Sequence, residues 1–476
     1  MPGWTLSLPR STLSSVATDG SPDLLDAIAR HRGRVLGTLV AFAIALRVLL
    51  AIDCPTPFGY VFDYYHEGVE LMYQNGRLPI AEDCWQCYHP PLYYAAGLPF
   101  YAVGRWLGGT RESAPEWGLR GLTGLAVVAG ALTAWFSLQA VTAVVDDPAI
   151  ATVGAALIFA SPCLFISSYG PDADVVEAAA MTAFLASFIP FAAARPETRT
   201  WRSAATVGAL AGLAAAAKYS GLIALATAGI VLGWQMLTGP RRSRTLALAL
   251  LVAAVAIAVG GFKYVDNARR YGTPLYANGS AGDALSTHRE YFWDDYDFLS
   301  FHPSEILAVS GPNAPPGQLT ELPVYHSVWT TLYGMAWGDL SFFSVPGRID
   351  DPAAPYPAKS IPRTLIGSVV YLGLIPTLLV PIGIVARIRR REYLPMLVML
   401  VVTMASYLAW VVAQDAWALK AKYLLFLLPI CVAYAMAGLQ WLRSVTRPGS
   451  RLALLGLLAL IAVAHLYLYA FAVGRI

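Results

Sequence analysis

The stretch "FDYYHEGVELMYQNGRLPIAEDCWQCYHPPLYYAAGLPFYAVGRWLGG", residues 62–109, opens with acids, a histidine and two cysteines and then runs into a nearly uncharged apolar segment. Whether residues 90–107 cross a membrane decides the side on which every later loop lies. The surrounding composition makes the question unavoidable. Of 476 residues, 57% are hydrophobic and only 13% charged, against roughly a quarter charged in soluble domains, and the mean hydropathy is +0.54. Continuous apolar runs of about 17 to 25 residues recur along the chain, each long enough to cross a hydrocarbon core of about 30 Å as a helix. These runs do not alternate, which excludes a barrel. The expected class is an all-α polytopic membrane protein.

Eleven spans are expected, at about 35–52, 120–145, 149–168, 174–194, 203–217, 219–238, 245–264, 363–386, 394–413, 421–440 and 452–472. Five short segments carry arginine clusters: Arg30, Arg32 and Arg34; Arg195, Arg199 and Arg202; Arg241, Arg242 and Arg244; Arg387, Arg389, Arg390 and Arg391; Arg443, Arg447 and Arg451. Positive residues in short loops stay cytoplasmic. All five clusters share one side only if 90–107 does not span. That segment is therefore expected along the outer surface, where Tyr93, Tyr94, Phe100, Tyr101 and Trp106 suit headgroup level and Pro90, Pro91 and Pro99 interrupt a helix. The first run, behind 34 polar residues without a cleavage-site pattern, reads as an uncleaved anchor. The result is a cytoplasmic tail (1–34) and one membrane domain (35–476) with two large exterior segments, 53–119 and 265–362, the second carrying helix-like spacing in "YHSVWTTLYGMAWGDLSFF".

The ionisable residues collect at the exterior boundary. Asp63 follows the first span by about ten residues; a partly desolvated carboxylate there can serve as a general base, or cap the following helix. In "SSYGPDADV", Asp172 and Asp174 share a loop of a few residues, able to hold a divalent cation, face a cationic ligand group, or cap the next helix. Lys218 stands in "AAAAKYSGL", and Lys420 and Lys422 in "ALKAKYLLFLLP". Lysines at outer helix ends bind a lipid phosphate or snorkel as anchors, and Arg47 within the first span faces the same choice. Arg269 and Arg270, in "NARRYGTPLYANG", are a phosphate clamp or an ordinary loop entrance.

Cys84 and Cys87 form a CxxC beside His89, half of a zinc pattern with no second half. On an oxidising exterior a local disulfide, or one to Cys54, is the expected state. Cys163 and Cys431 read as core. No P-loop, GxSxG or HExxH occurs, so nucleotide hydrolysis and the commoner protease chemistries have no support; nothing implies a nucleic-acid partner.

An acid just after the first span, "HPPLYY", a Pro-Asp-x-Asp loop after the third, "KYSGL", "RRYGTPL" and a late "KYLLFLLP" occur here in one order. That order, spread from about residue 35 to 440, resembles the GT-C superfamily of membrane glycosyltransferases, in particular the family-39-like group related to protein O-mannosyltransferases and aminoarabinose transferases. The resemblance implies a GT-C fold with exterior juxtamembrane helices in the first loop. It further implies transfer of a sugar from a polyprenyl-phosphate donor to an acceptor hydroxyl on a glycan, lipid or protein of the cell envelope, with inversion. By the same resemblance Asp63 is the base, Asp172 and Asp174 line the cavity with His89, and Lys218 with Tyr219, Arg269 with Arg270, and Lys422 with Tyr423 are candidates for the donor phosphate. One departure is that Tyr64 and Tyr65, not a glutamate, follow Asp63, with Glu67 later.

The chain is thus expected to be an integral protein of a bacterial inner membrane, its site facing the exterior and in contact with membrane lipid. A lipid-linked glycan transporter or flippase is the competing reading. Such proteins hold substrate near the midplane and often show internal repeats, and no repeat is evident here.

Overall fold

The structure is a computed structural model. It describes residues 31–53, 64–168, 170–276, 299–306, 327–338, 370–413, 420–445, 454 and 456–466. Asp63, Cys54 and most of the 265–362 segment lie outside the described residues. The described chain is helical, with no strand among the described residues. Its α-helices are α1 (Arg32–Asp53), α2 (Tyr65–Asn75), α3 (Leu92–Gly108), α4 (Ala114–Thr142), α5 (Pro148–Phe159), α6 (Pro162–Ser167), α7 (Ala173–Ala193), α8 (Trp201–Ala217), α9 (Leu222–Thr238), α10 (Arg242–Gly260), α11 (Phe262–Tyr271), α12 (Val328–Gly338), α13 (Leu374–Arg387), α14 (Leu394–Ala413) and α15 (Leu428–Val445). A shorter apolar helix, α16 (Gly456–Leu466), follows. Seven of the described helical segments are long and apolar enough to cross a membrane. Each of the eleven expected spans is helical in its described part, so the protein is a polytopic all-α membrane protein.

The third expected span departs from a continuous helix. It is broken after Phe159, and a second piece starts at Pro162. Proline has no N–H to give the preceding turn and its ring clashes with the carbonyl four residues back, so it can begin a helix but not continue one. The span expected at 245–264 likewise ends at Gly260, and α11 continues beyond the Gly260–Gly261 pair. α4 starts earlier than expected, at Ala114, with Pro115 in its first turn and an exposed Arg120–Glu116 pair at 2.9 Å.

Close helix crossings use small residues, as packing in lipid requires. A Cβ on Gly208 or Gly212 would meet the backbone of Val252 or Ala256, so α8 and α10 cross in backbone contact. α13 and α15 cross in the same way at Gly383 and Gly438. α3 lies antiparallel along the first third of α4, where Gly104 faces the Trp117 carbonyl and Gly121 the Phe100 carbonyl.

The ends of these helices sort into two sets. The start of α7, the end of α8 and the turn before α15 are joined by ion pairs at one end of the bundle. Because each helix traverses the bundle, their other termini gather at the opposite end, and there the arginines lie. Arg199 donates to the Ala192 and Ala194 carbonyls and to Gln235, Arg244 donates to the Pro196 carbonyl, and Arg443 pairs with Asp147. α4 finishes at this arginine end, where Tyr393 donates to the Val144 carbonyl. Its start is therefore at the ion-pair end. Near the far end of α1, Arg47 lies over Phe165 of α6, 4.9 Å from the ring centroid. α1 thus arrives at the end from which α4 departs.

Candidate active site

Asp172 sits in extended backbone (φ −108°, ψ 126°) as the N-cap of α7, and its carboxylate accepts from the Asp174 N–H at 2.9 Å. An N-cap carboxylate satisfies an amide the helix leaves unpaired. Asp174, in the first turn, is also buried, and two ammonium groups converge on it. Lys218 Nζ lies 2.5 Å from Oδ1, and Lys422 Nζ lies 3.2 Å from Oδ2 and 3.6 Å from Asp172 Oδ2. The capping and binding alternatives for the acidic loop therefore coexist, with Asp172 capping and Asp174 pairing. Burial pushes the Asp172 carboxyl above the ordinary carboxylate range, against the opposing pull of Lys422.

Both lysines occupy breaks between helices. α8 stops at Ala217, Lys218 is extended (φ −152°, ψ 164°), and a 3-10 turn, Tyr219–Gly221, leads into α9. That turn folds back so tightly on α8 that a Cβ at Gly221 would collide with the Ala214 carbonyl. Lys420 is likewise extended (φ −129°, ψ 121°), and a 3-10 segment, Ala421–Leu427, carries Lys422 and Tyr423 into α15. The two sites differ in detail: Lys218 is itself the extended residue ahead of its 3-10 turn, whereas Lys422 lies within its 3-10 segment, two residues after extended Lys420.

Aromatic rings enclose the ammonium groups. Lys218 Nζ stands 4.6 Å from the Tyr423 ring centroid and 5.4 Å from that of Tyr65, and Lys420 and Lys422 lie 5.5 and 5.7 Å from Tyr423. Such contacts stabilise a cation by the ring quadrupole and exclude water. The roof comes from residues 64–94. Tyr65 Oη is 3.4 Å from His89 Nε2, and the Tyr65 ring packs on His89 and Tyr93. Tyr93, buried near Asp172, has its hydroxyl pushed well above the ordinary tyrosine range by burial. Tyr219 Oη is 2.9 Å from the Tyr88 carbonyl and accepts from Asn267 at 2.7 Å, tying the roof to α9 and α11.

Three clasps fix the roof loop. Cys84 and Cys87 are disulfide-bonded, with Cα atoms 5.1 Å apart. Tyr94 donates to the Gln86 carbonyl at 2.5 Å. Arg77 grips Asp83 through two bonds of 2.7 and 2.8 Å and holds that carboxyl below its usual range. α2 begins after Tyr64, a non-glycine residue at φ 57° that provides no side-chain cap. A bulky residue held left-handed costs about 1 kcal/mol or more, and the sharp turn it makes brings Tyr65 directly over Lys218.

Of the residues singled out in the sequence, the structure brings together His89, Asp172, Asp174, Lys218, Tyr219, Lys422 and Tyr423. It does not bring in Arg269 and Arg270. Both are exposed, and Arg270 pairs with Asp266 at 2.8 Å; the inward face of α11 carries Lys263 and Asn267 instead. Sequence reasoning missed Tyr65, Tyr93 and Glu177. Glu177 left a readable signal, because it is the one ionisable residue in α7 after its first turn, and such residues at membrane depth are costly unless they act.

The two carboxylates that were candidates for a divalent cation share two ammonium groups, and a dication between them would have to displace Lys218 or Lys422. Among the described residues no group of three His, Cys, Asp or Glu side chains has metal-ligand geometry. Among the described residues, both carboxylates are already compensated by ammonium groups.

No protein-family model and no curated protein matches the chain. Solved structures do. The oligosaccharyltransferase of Archaeoglobus fulgidus, tethered with an acceptor peptide, superposes with a TM-score of 0.52 at 15% identity over 94% of this chain and 56% of that one. ArnT from Cupriavidus metallidurans, bound to undecaprenyl phosphate, gives 0.40 at 14% identity, covering 85% of this chain and 78% of that one. The Saccharomyces cerevisiae protein O-mannosyltransferase complex Pmt1-Pmt2, bound to its sugar donor, gives 0.39 at 16% identity over 55% and 37%. The chain spans about half the length of the archaeal oligosaccharyltransferase. With its helix order and this superposition, the chain shares the fold of the archaeal oligosaccharyltransferase, in agreement with the GT-C fold that the sequence resemblance implied.

Proposed function

We propose that the protein transfers a sugar from a polyprenyl-phosphate-linked donor to an acceptor hydroxyl, with inversion, at the exterior face of the membrane. The observation that carries this reading is the buried convergence of Lys218 and Lys422 on Asp174 beneath an aromatic roof. A departing lipid phosphate develops negative charge. Preorganised cations in a water-poor site stabilise that charge far more than they would in water. The sugar can lie against Tyr65, His89 and Tyr93, whose rings also keep water from intercepting the donor. An acceptor hydroxyl attacking from the opposite side needs one aligned carboxylate to take its proton, and Asp63, the residue before Tyr64 in the sequence, is assigned that role. The bacterial inner membrane is the proposed location, with a cell-envelope glycan, lipid or protein as acceptor. Collection of the ionisable groups at one end of the bundle supports transfer over transport, which works from the midplane.

The test uses the full-length protein in nanodiscs with a radiolabelled polyprenyl-phosphate sugar and an envelope-lipid acceptor. Lys218→Gln is expected to lower transfer at least 100-fold, and Asp63→Asn to abolish it while leaving donor binding within about twofold. Chelation with EDTA is expected to leave the rate unchanged. Wild-type turnover by Asp63→Asn would remove the base assignment, and movement of the intact donor across the bilayer without transfer would favour the transporter.

A further inference from the structure

Tyr219 follows Lys218 in the chain, yet its hydroxyl is committed elsewhere. Its Oη lies 2.9 Å from the Tyr88 carbonyl and 2.8 Å from the Tyr276 carbonyl, and it accepts from Nδ2 of buried Asn267 at 2.7 Å. A phenol has a single proton. Two carbonyls share it here, so none is left to donate to a phosphate oxygen. The Tyr219 ring makes the other contacts, with its centroid 6.2 Å from that of Tyr88, 5.9 Å from His89 and 5.7 Å from Tyr264.

The partners of that hydroxyl come from different parts of the chain. Tyr88 belongs to the roof, beside His89, whose ring packs on the Tyr65 ring that covers Lys218. Asn267 lies on α11 and Tyr276 just beyond it. A second bond from α11 reaches the same roof loop, where Tyr271 donates to Glu82 at 2.7 Å. Because Lys218 and Tyr219 are adjacent, the bonds that hold the Tyr219 hydroxyl also set the height of the roof above the ammonium. We propose that Tyr219 and Asn267 are positioning residues that lock the roof onto the cation site, and that Tyr219 is not a ligand of the donor phosphate. The inference rests on the lipid-phosphate reading for what the roof protects, and adds to it how water is kept out. Under a raised roof, water in place of the acceptor hydroxyl attacks the anomeric carbon. The bond from that carbon to the phosphate oxygen breaks, its electron pair leaves on the polyprenyl phosphate, and a proton of the attacking water passes to solvent. Loosening the lock therefore raises the share of donor that ends as free sugar, whereas loss of a phosphate ligand lowers hydrolysis and transfer together.

The test compares full-length wild type, Tyr219→Phe, Asn267→Leu, the double variant and Tyr264→Phe in nanodiscs. Amide hydrogen exchange of the roof, residues 77–94, is read on the empty protein, and a radiolabelled polyprenyl-phosphate sugar with an envelope-lipid acceptor reports donor binding, transfer and hydrolysis. Tyr219→Phe is expected to speed roof exchange about tenfold, to raise the hydrolysed share severalfold and to keep donor binding within about twofold. Asn267→Leu is expected to move both readouts in the same direction, and carries the test if Tyr219→Phe fails to fold. The double variant is expected to match Tyr219→Phe, because residues acting through one hydrogen bond are not additive. Tyr264→Phe removes another hydroxyl at the same junction, one that donates to the Ala215 carbonyl of α8 at 2.8 Å, and is expected to leave roof exchange and the hydrolysed share unchanged. Unchanged roof exchange in Tyr219→Phe and Asn267→Leu overturns the lock, and donor binding weakened about tenfold by Tyr219→Phe makes that residue a phosphate ligand after all. The exchange measurement needs no substrate. If wild type neither binds nor consumes the donor, the transferase reading falls while exchange still decides the lock.

Discussion

Asp174 accepts from Lys218 at 2.5 Å and holds Lys422 at 3.2 Å, all three side chains lying in the interior. Removing one partner of a buried pair leaves the other charge uncompensated, which costs about 3 to 5 kcal/mol. Asp174→Asn is therefore expected to lower the unfolding free energy by about that amount, read by thermal or denaturant unfolding in detergent. Asp172→Asn, which keeps an N-cap acceptor, is expected to cost less than 1 kcal/mol. Lys218→Arg is not a mild change here, because a planar guanidinium cannot pack into the space that an ammonium occupies between Tyr65 and Tyr423. The sequence named both acids and both lysines, because an ionisable group in an apolar run stands out. It could not say that they meet: Lys218 is 44 residues from Asp174, and Lys422 comes from another part of the chain. Arg269 and Arg270 had the right charge in a plausible loop, but the helical phase of α11 turns Lys263 and Asn267 inward instead.

At the level of elements, the breaks at Lys218 and Lys420 decide the site. Gly221 packs where any side chain would strike the Ala214 carbonyl, whereas Gly229, two turns later in α9, faces open space. Gly221→Ala is expected to reduce transfer at least tenfold with helical content unchanged by circular dichroism. Gly229→Ala is expected to keep full activity and gain up to about 1 kcal/mol of stability. Equal behaviour of the two variants would mean that the fold-back at Gly221 does not aim Lys218. The helices were legible in the sequence from run length alone. Pro162 should have signalled the interruption of the third span, since proline begins helices and does not continue them. The 3-10 turns were not legible, because "KYSGL" and "KYLLF" carry no proline and read as the first turn of the apolar helix they precede.

For the whole molecule, the arginine clusters carried most of the topology. They mark one end of the bundle, and the structure gathers four of them through Arg199, Arg244, Arg387 and Arg443. Cysteine labelling tests the sidedness. A cysteine replacing exposed Arg111, in the turn between α3 and α4, is expected to react with a membrane-impermeant maleimide in intact cells. One replacing Arg241, paired at the other end with Glu197, is expected to react only after permeabilisation. Reversed labelling would mean that α3 crosses after all or that the whole orientation is inverted, and labelling of both from one side would contradict the odd number of crossings between α4 and α9.

The ammonium groups of Lys218 and Lys422 hang from separate helix units, one from the α8–α9 junction and the other from the lead into α15, joined through the first turn of α7 and through the contact of Lys218 with the Tyr423 ring. Their separation therefore works as a caliper. Any tilt of one unit against the other, whether imposed by bilayer thickness or by a bulky acceptor docking from outside, opens or closes the gap between the two positive charges. If the two lysines hold a lipid phosphate as proposed, that hold depends on how the two helix units sit against each other.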